Sequence, residues 1–235
     1  MKFLFGILFS AATVALSLGP AQAEGVSFED RVRAFILDNP EIIVEALEIL
    51  AEREARAETQ ARLAAYPELF ADAARLGEGD VAAPRRIVEF FDYKCVPCKT
   101  IHPALVEFVA AHPEVRLEMR QLPILTPGSE RAARFALASR EIYGDETYRA
   151  VHDRLWDVRG PLNTAGFQRI AGTLDLDFAK IAPVMESEAV TSRITYNRDV
   201  AIALGVLGTP AFVTPDSVVF GSTDIEALSE VWLSR

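Results

Sequence analysis

Apolar positions along this chain of 235 residues change their period several times, and each change marks an element. Phe28, Val32, Phe35 and Ile36 recur at helical spacing behind Ser27, which can cap them. Asp38-Asn39-Pro40 ends that helix and opens another, with Asn39 as N-cap and Pro40 at the first helical position. The second helix carries Ile42, Ile43, Ala46, Leu47, Ile49 and Leu50 as a wide apolar stripe. It then thins to Ala55, Ala57, Ala61 and Leu63 before Pro67 interrupts it. Such a helix either docks on the main domain or buries its stripe against copies of itself.

Gly77-Glu78-Gly79-Asp80 reads as a turn within a transition over 68–85. Arg86 to Tyr93 then gives a near-continuous apolar run, Ile87, Val88, Phe90 and Phe91, as expected of a central strand covered on both faces. Thr100 to Ala111 is helical, with Ile101, Leu105, Phe108 and Val109 on one face. Val115 to Leu122 alternates apolar and charged residues as a second strand. Strand, helix and strand make a parallel crossover unit.

Ser129, Asp145 and Asn163 are the expected N-caps of helices at about 130–142, 146–157 and 164–174. Two more helices are expected at about 177–186 and 187–204. The chain ends with a strand at Ala211–Val213, a turn at Pro215-Asp216, a hairpin partner at Ser217–Phe220 and a helix from Thr223. The fold class is α/β: a strand-helix-strand half, a helical insertion, and a strand-strand-helix half.

Composition adds a compartment and removes a class of partner. The chain is half apolar with a net charge of −10, which argues against a phosphate-neutralising surface and so against nucleic acid. Lys2, the apolar run Phe3 to Leu18, and Ala21-Gln22-Ala23 have the form of a secretory signal cleaved after Ala23. The run is short for a membrane anchor and ends in Gly19-Pro20 rather than in basic residues.

Cys95 and Cys98 are the only cysteines. They follow the central strand and open the next helix, in an exported chain whose thiols would oxidise. Unpaired N–H groups and the positive dipole end of the helix favour a thiolate at Cys95, and Lys94 and Lys99 add positive charge. Cys98, one turn further in, is suited to resolve a mixed disulfide. Pro97 is tolerated because first-turn N–H groups need no helical partner. A metal site is the competing reading, with Cys95, Cys98 and His102 as three ligands for copper or zinc. His112 and His152 have no local partner. Attachment of c-type haem would need histidine where Lys99 stands. An inert structural disulfide would close too short a loop to contribute much stability. A non-catalytic binding module is a further alternative.

The run Phe90-Phe91-Asp92-Tyr93-Lys94-Cys95-x-x-Cys98-Lys99 and the later Leu204-Gly205-Val206-Leu207-Gly208-Thr209-Pro210-Ala211-Phe212 resemble the DsbA-like thiol-disulfide oxidoreductases of the thioredoxin superfamily. The segment Phe28 to Leu50 is similar to the N-terminal extension of the ScsC-like branch, where it mediates self-association. With the secretory signal at 1–23, the resemblance implies a helical extension at 24–66 and a thioredoxin-like domain at 67–235 with its helical insertion at about 127–205. It also implies Cys95 as nucleophile, Cys98 as resolving thiol, and Pro210 as a cis-proline whose preceding residue, Thr209, pairs with substrate. Glu89 falls where the superfamily has a buried proton-relaying acid; a water-exposed edge carboxylate is the alternative. No cofactor or metal is implied. The partners expected are proteins bearing thiols or disulfides, a membrane redox protein, and other copies of the chain, all in the periplasm. Val96-Pro97 lacks the histidine of strongly oxidising relatives, so a less oxidising couple than DsbA is expected. Threonine before the cis-proline resembles isomerases more than oxidases.

Overall fold

The structure, a computed structural model, describes residues 26–71, 76–221 and 224–233. The secretory-type segment 1–23 lies outside the described residues. The chain divides into two compact units, one ending at Ile49 and one beginning at Leu50. Among the described residues no helix is long and apolar enough to cross a membrane.

The first unit holds α1 (Phe28–Asp38) and the start of α2 (Glu41–Leu63). Ser27 caps α1, its hydroxyl accepting from the Asp30 N–H. No α1 residue is buried, and Phe28, Phe35, Ile43 and Leu47 are all exposed.

The second unit is built on a five-stranded sheet in the order β1-β3-β2-β4-β5. Its strands are β1 (Gly77–Glu78), β2 (Arg85–Phe91), β3 (Val115–Gln121), β4 (Ala211–Thr214) and β5 (Ser217–Phe220). The central pair β2 and β3 is parallel and joined through α4 (Val96–Ala111), while the other pairings are antiparallel. The register sets Glu89 between Met119 and Phe212. β1 was not expected. It is a two-residue edge pairing made to a strand about forty residues away, and no local pattern announces it.

Alternation sorts the sheet residues onto two faces. Ile87, Phe91, Leu117, Met119 and Phe212 share one core with Leu105 of α4 and most of the helical insertion. Val88, Phe90, Ala211 and Val213 share the other with Leu63, Leu69 and Val200. Leu63 therefore packs with the second unit, although it ends the helix that begins in the first. The charged positions of β3 are buried as well. Glu118 pairs with Arg86 at 3.1 Å and with Arg116 at 3.2 Å, and Arg120 donates to the Leu69 carbonyl at 2.9 Å. Those partners keep buried charge from being orphaned.

The insertion comprises α5 (Pro127–Tyr143), α6 (Asp145–Asp157), α7 (Thr164–Thr173), α8 (Phe178–Val184) and α9 (Glu188–Ala203), and α10 (Ile225–Leu233) closes the fold. Two caps differ from expectation. Thr126, not Ser129, caps α5, and Ser129 completes the capping box from the third helical position. Gly144 stands at the start of α6 without a side-chain cap. Asn163 caps α7 as expected, accepting from the Gly166 N–H.

The end of α9 aims the chain at the site. Gly205 has φ +74°, and the Val206 N–H reaches back to the Ala201 carbonyl at 2.7 Å while the Gly205 N–H reaches Ile202 at 3.0 Å. This left-handed stop favours glycine. It turns the chain into Leu207-Gly208-Thr209-Pro210.

Candidate active site

Cys95 and Cys98 form a disulfide at the start of α4, their Cα atoms 5.3 Å apart. Cys95 is the helix N-cap, and its sulfur accepts the Cys98 N–H at 3.1 Å. That bond lends a thiolate at Cys95 a fixed donor in addition to the helix dipole. Pro97 lies in the first turn, where a missing N–H costs nothing.

The second segment arrives from 114 residues away. The Thr209–Pro210 peptide is cis, and the Thr209 carbonyl oxygen sits 3.2 Å from Cys95 Sγ. Cys98 is fully buried, and Cys95 is only 2% exposed. The sulfur is thus less open than its place at a helix start suggests, because the Thr209 segment lies against it. A substrate sulfur must approach alongside that segment.

Glu89 is completely buried, and among the described residues neither carboxylate oxygen has a hydrogen-bond partner. Two-residue alternation puts it on the face of Ile87 and Phe91, whose core includes Cys98 and Leu105 of α4. Burial raises its pKa from 4.5 to about 8. An acid poised there holds a proton at neutral pH and can give it up just above.

Asp92 was not singled out by sequence reasoning, yet it organises the turn. Its buried carboxylate accepts the N–H of Lys94 at 2.7 Å and those of Ile124 and Leu125 at 3.0 Å each, and its carbonyl accepts the Cys95 N–H at 2.9 Å. One side chain thereby ties the segment after β2 to the segment after β3. An acid within the apolar run Phe90–Tyr93 was the available signal.

The histidines fall differently from expectation. His102 turns toward Trp156 and His152, with ring centroids 4.8 and 6.2 Å away. Among the described residues no group of three His, Cys, Asp or Glu side chains is arranged to hold a metal. His152 does have a partner. Its Nδ1 lies 3.1 Å from the Tyr93 hydroxyl, 59 residues distant and beyond any local pattern. Burial, then His102 and Arg149, push its pKa down to about 3, so it is neutral. His112 Nδ1 lies 2.8 Å from the Phe108 carbonyl oxygen.

Lys94 and Lys99 reach the link between α6 and α7. Lys99 Nζ donates to the Val158 carbonyl at 2.8 Å, and Lys94 Nζ donates to that of Gly160 at 3.2 Å. Burial first, then Lys94 and Arg159, hold the Lys99 pKa below that of a free lysine.

This geometry agrees with what the chain resembles. Residues 86–231 match the DSBA-like thioredoxin domain. The chain belongs to that family. Residues 26–57 match the copper resistance protein ScsC N-terminal domain, which sets the chain in the ScsC-like branch. A thioredoxin-like oxidoreductase from Silicibacter pomeroyi is 36% identical, with TM-score 0.63, 70% of this chain covered and 94% of that one. A linker-deletion mutant of Proteus mirabilis ScsC is 25% identical, with TM-score 0.66 and 94% and 98% covered. A Na(+)/H(+) antiporter, NhaA 1, from Salinispora arenicola is 32% identical over 154 residues, which are 64% of this chain and 23% of that protein. The chain thus spans less than a quarter of the length of that relative. The DsbA-like protein carries a redox-active cysteine pair and is a thiol-disulfide oxidoreductase.

Proposed function

We propose that this oxidoreductase is exported to the periplasm and exchanges disulfides with protein substrates as an oxidase or isomerase. A membrane redox protein resets it, and its N-terminal arm joins it to other copies. The observation that carries the reading is the Cys95 sulfur, capping α4 while lying 3.2 Å from the carbonyl that precedes cis-Pro210. A reactive sulfur beside extended backbone suits a substrate that is itself a chain and can pair with Thr209 as an added strand.

In the oxidising direction, a substrate thiolate attacks Cys95 Sγ and breaks the Cys95–Cys98 bond. Cys98 leaves as a thiolate and takes the proton held by Glu89. The second substrate thiolate then attacks its neighbour's sulfur in the mixed disulfide, and Cys95 departs as a thiolate. The substrate loses two electrons and the protein disulfide gains them. Isomerisation starts from the reduced pair and ends with it unchanged.

The arm supports self-association through Ile43, Leu47 and Leu50, which are between 45 and 59% exposed. Export to the periplasm rests on Lys2 to Ala23.

The test is to mix the purified oxidised chain with a reduced, unfolded dithiol protein and follow the substrate disulfide by acid-quenched alkylation. Stoichiometric oxidation well above that by oxidised glutathione is expected. A rate no faster than glutathione would dismiss the protein-substrate reading.

A further inference from the structure

A cavity of about 260 Å³ lies in the insertion beside the active-site turn, between the end of α6 and α7. Leu162, Phe167 and Ile170 line it with apolar surface, and Arg154 and Arg169 line it with charge. Among the described residues neither arginine has a hydrogen bond or salt bridge. Asp153, the acid beside Arg154, is held above its usual pKa chiefly by burial, with Arg154 only a small opposing influence.

The cavity is fastened to the disulfide. Val158 and Gly160 form part of its wall, and these are the residues whose carbonyls accept Lys99 and Lys94, which flank Cys95 and Cys98. Arg159, between them, acts electrostatically on Lys99, with Asp157 opposing. A chain net −10 in charge therefore gathers Lys94, Lys99, Arg154, Arg159 and Arg169 along one edge of its reactive centre.

We propose that this cavity is a second substrate subsite, which takes an apolar side chain flanked by carboxylates from the protein undergoing exchange. The proposal rests on the protein-substrate reading above. Its chemistry is specific. The apolar floor removes one hydrocarbon side chain from water, and unpaired guanidinium groups at the rim meet carboxylates in fork geometry. The wall stands within one lysine side chain of the turn, so the occupying residue lies roughly four residues from the substrate cysteine. Gly166 provides the means of closing the site. A Cβ there would meet Pro161 O at 3.4 Å and Arg169 Nη2 at 3.8 Å, ordinary contacts that the fold tolerates, whereas a leucine would extend into the cavity.

The experiment measures single-turnover oxidation of two dithiol peptides by the full oxidised chain. The peptides are identical except for Glu-Leu-Glu or Lys-Leu-Lys placed on both sides, about four residues from the cysteines. Dithiothreitol serves as a substrate too small to reach the cavity. The acidic peptide is expected to react about tenfold faster than the basic one, a modest electrostatic discrimination. Arg154→Glu/Arg169→Glu should abolish or invert that preference, and Gly166→Leu should slow the acidic peptide. All variants should oxidise dithiothreitol within about twofold of the parent, showing that they are folded and that the disulfide is intact. Equal rates for the two peptides, or a preference that survives the double reversal, would overturn the subsite alone. Oxidation of dithiothreitol with neither peptide oxidised would overturn the protein-substrate reading and this proposal with it.

Discussion

Glu89 lies in β2 with no exposure and, among the described residues, no hydrogen-bond partner, whereas Leu47, in the first half of α2, is 59% exposed. Each is in the wrong solvent for its chemistry, and in opposite senses. Burying an unpartnered carboxyl costs on the order of a few kcal/mol; leaving a leucine in water forgoes about 1.5–3 kcal/mol. In the domain from Leu50 onward, Glu89 lies on the sheet face whose core includes Cys98. In the arm, Phe28, Phe35, Ile43 and Leu47 are apolar and exposed among the described residues. A domain holds a costly polar group inside when reaction chemistry needs it, and a helix keeps apolar residues outside when another surface is to cover them. The two units thus advertise function by opposite means.

The comparison breaks most sharply at Cys95. Cys95→Ser should reduce oxidation of dithiol substrates to the uncatalysed background, while Cys98→Ala, offered a substrate that carries a disulfide, should let the Cys95 thiolate attack it and accumulate the mixed disulfide, visible on non-reducing gels. A Cys95→Ser protein that still oxidises substrate would show that the helix N-cap is not the reactive centre.

Next in size is Glu89. Its pKa is 4.5 unfolded and about 8 folded. Between those values the unfolded state releases a proton that the native state keeps, so stability falls as pH rises toward 8. His152 runs the other way, about 3 folded against 6.5 unfolded, so its contribution is lost as pH falls from 6.5 toward 3. Between pH 4.5 and 6.5 the two slopes cancel. From these groups a plateau is expected there, with losses on both sides. Glu89→Gln should remove the alkaline loss and stabilise the protein at pH 8 by a few kcal/mol, at ~1.4 kcal/mol per pKa unit. It should also slow release of Cys98. Urea melts at pH 5 and 8 check the first claim; an unchanged difference between the two would mean that Glu89 is not buried as a neutral acid.

A smaller effect is expected at Pro97. The Cys95 sulfur has the Cys98 N–H as its fixed donor, and Pro97 offers none. Pro97→His should supply another, stabilise the reduced form, and make the couple more oxidising by about 30 mV, equivalent to ~1.4 kcal/mol. Equilibration against glutathione measures it. A shift toward reducing potentials would place thiolate stabilisation elsewhere, with Lys94 and Lys99 the next groups to vary.

What could be read in the sequence follows the range of the interaction. Cys95-x-x-Cys98 at a strand-to-helix junction and Gly208-Thr209-Pro210 before a hairpin are local patterns, and the fold class, the insertion and the cysteine-bearing helix followed from them. Alternation also told which residues share a face with Glu89, but not whether water reaches that face, since coverage depends on α4 and the insertion. Pairings across long separations had no local signal. β1 with β3, Tyr93 with His152 and Asp92 with Ile124 and Leu125 are of this kind. The caps of α5 and α6 were displaced because Pro127 supplies the first helical position of α5, which makes Thr126 its cap, and because α6 begins directly after Gly144, which has no side chain to cap it.

The arm supplies the smallest expected effect on the catalytic domain and the cleanest test of the contrast. Ile43 and Leu47 are spaced at i and i+4 on α2, so they share a face, and they are 45 and 59% exposed. Replacing both with glutamate removes the apolar stripe and leaves helix propensity nearly unchanged. If the stripe exists to meet other copies, sedimentation equilibrium should show the variant as a monomer and the parent as an oligomer, while stability of the unit from Leu50 shifts within about 0.5 kcal/mol, as for ordinary surface changes. Because Cys95 lies in the other unit, oxidation of small dithiols should be unaffected, whereas reshuffling of a scrambled protein should fall if several reactive centres must act on one substrate. A parent chain that sediments as a monomer would sink the self-association reading, and the exposed leucines would then require a different partner.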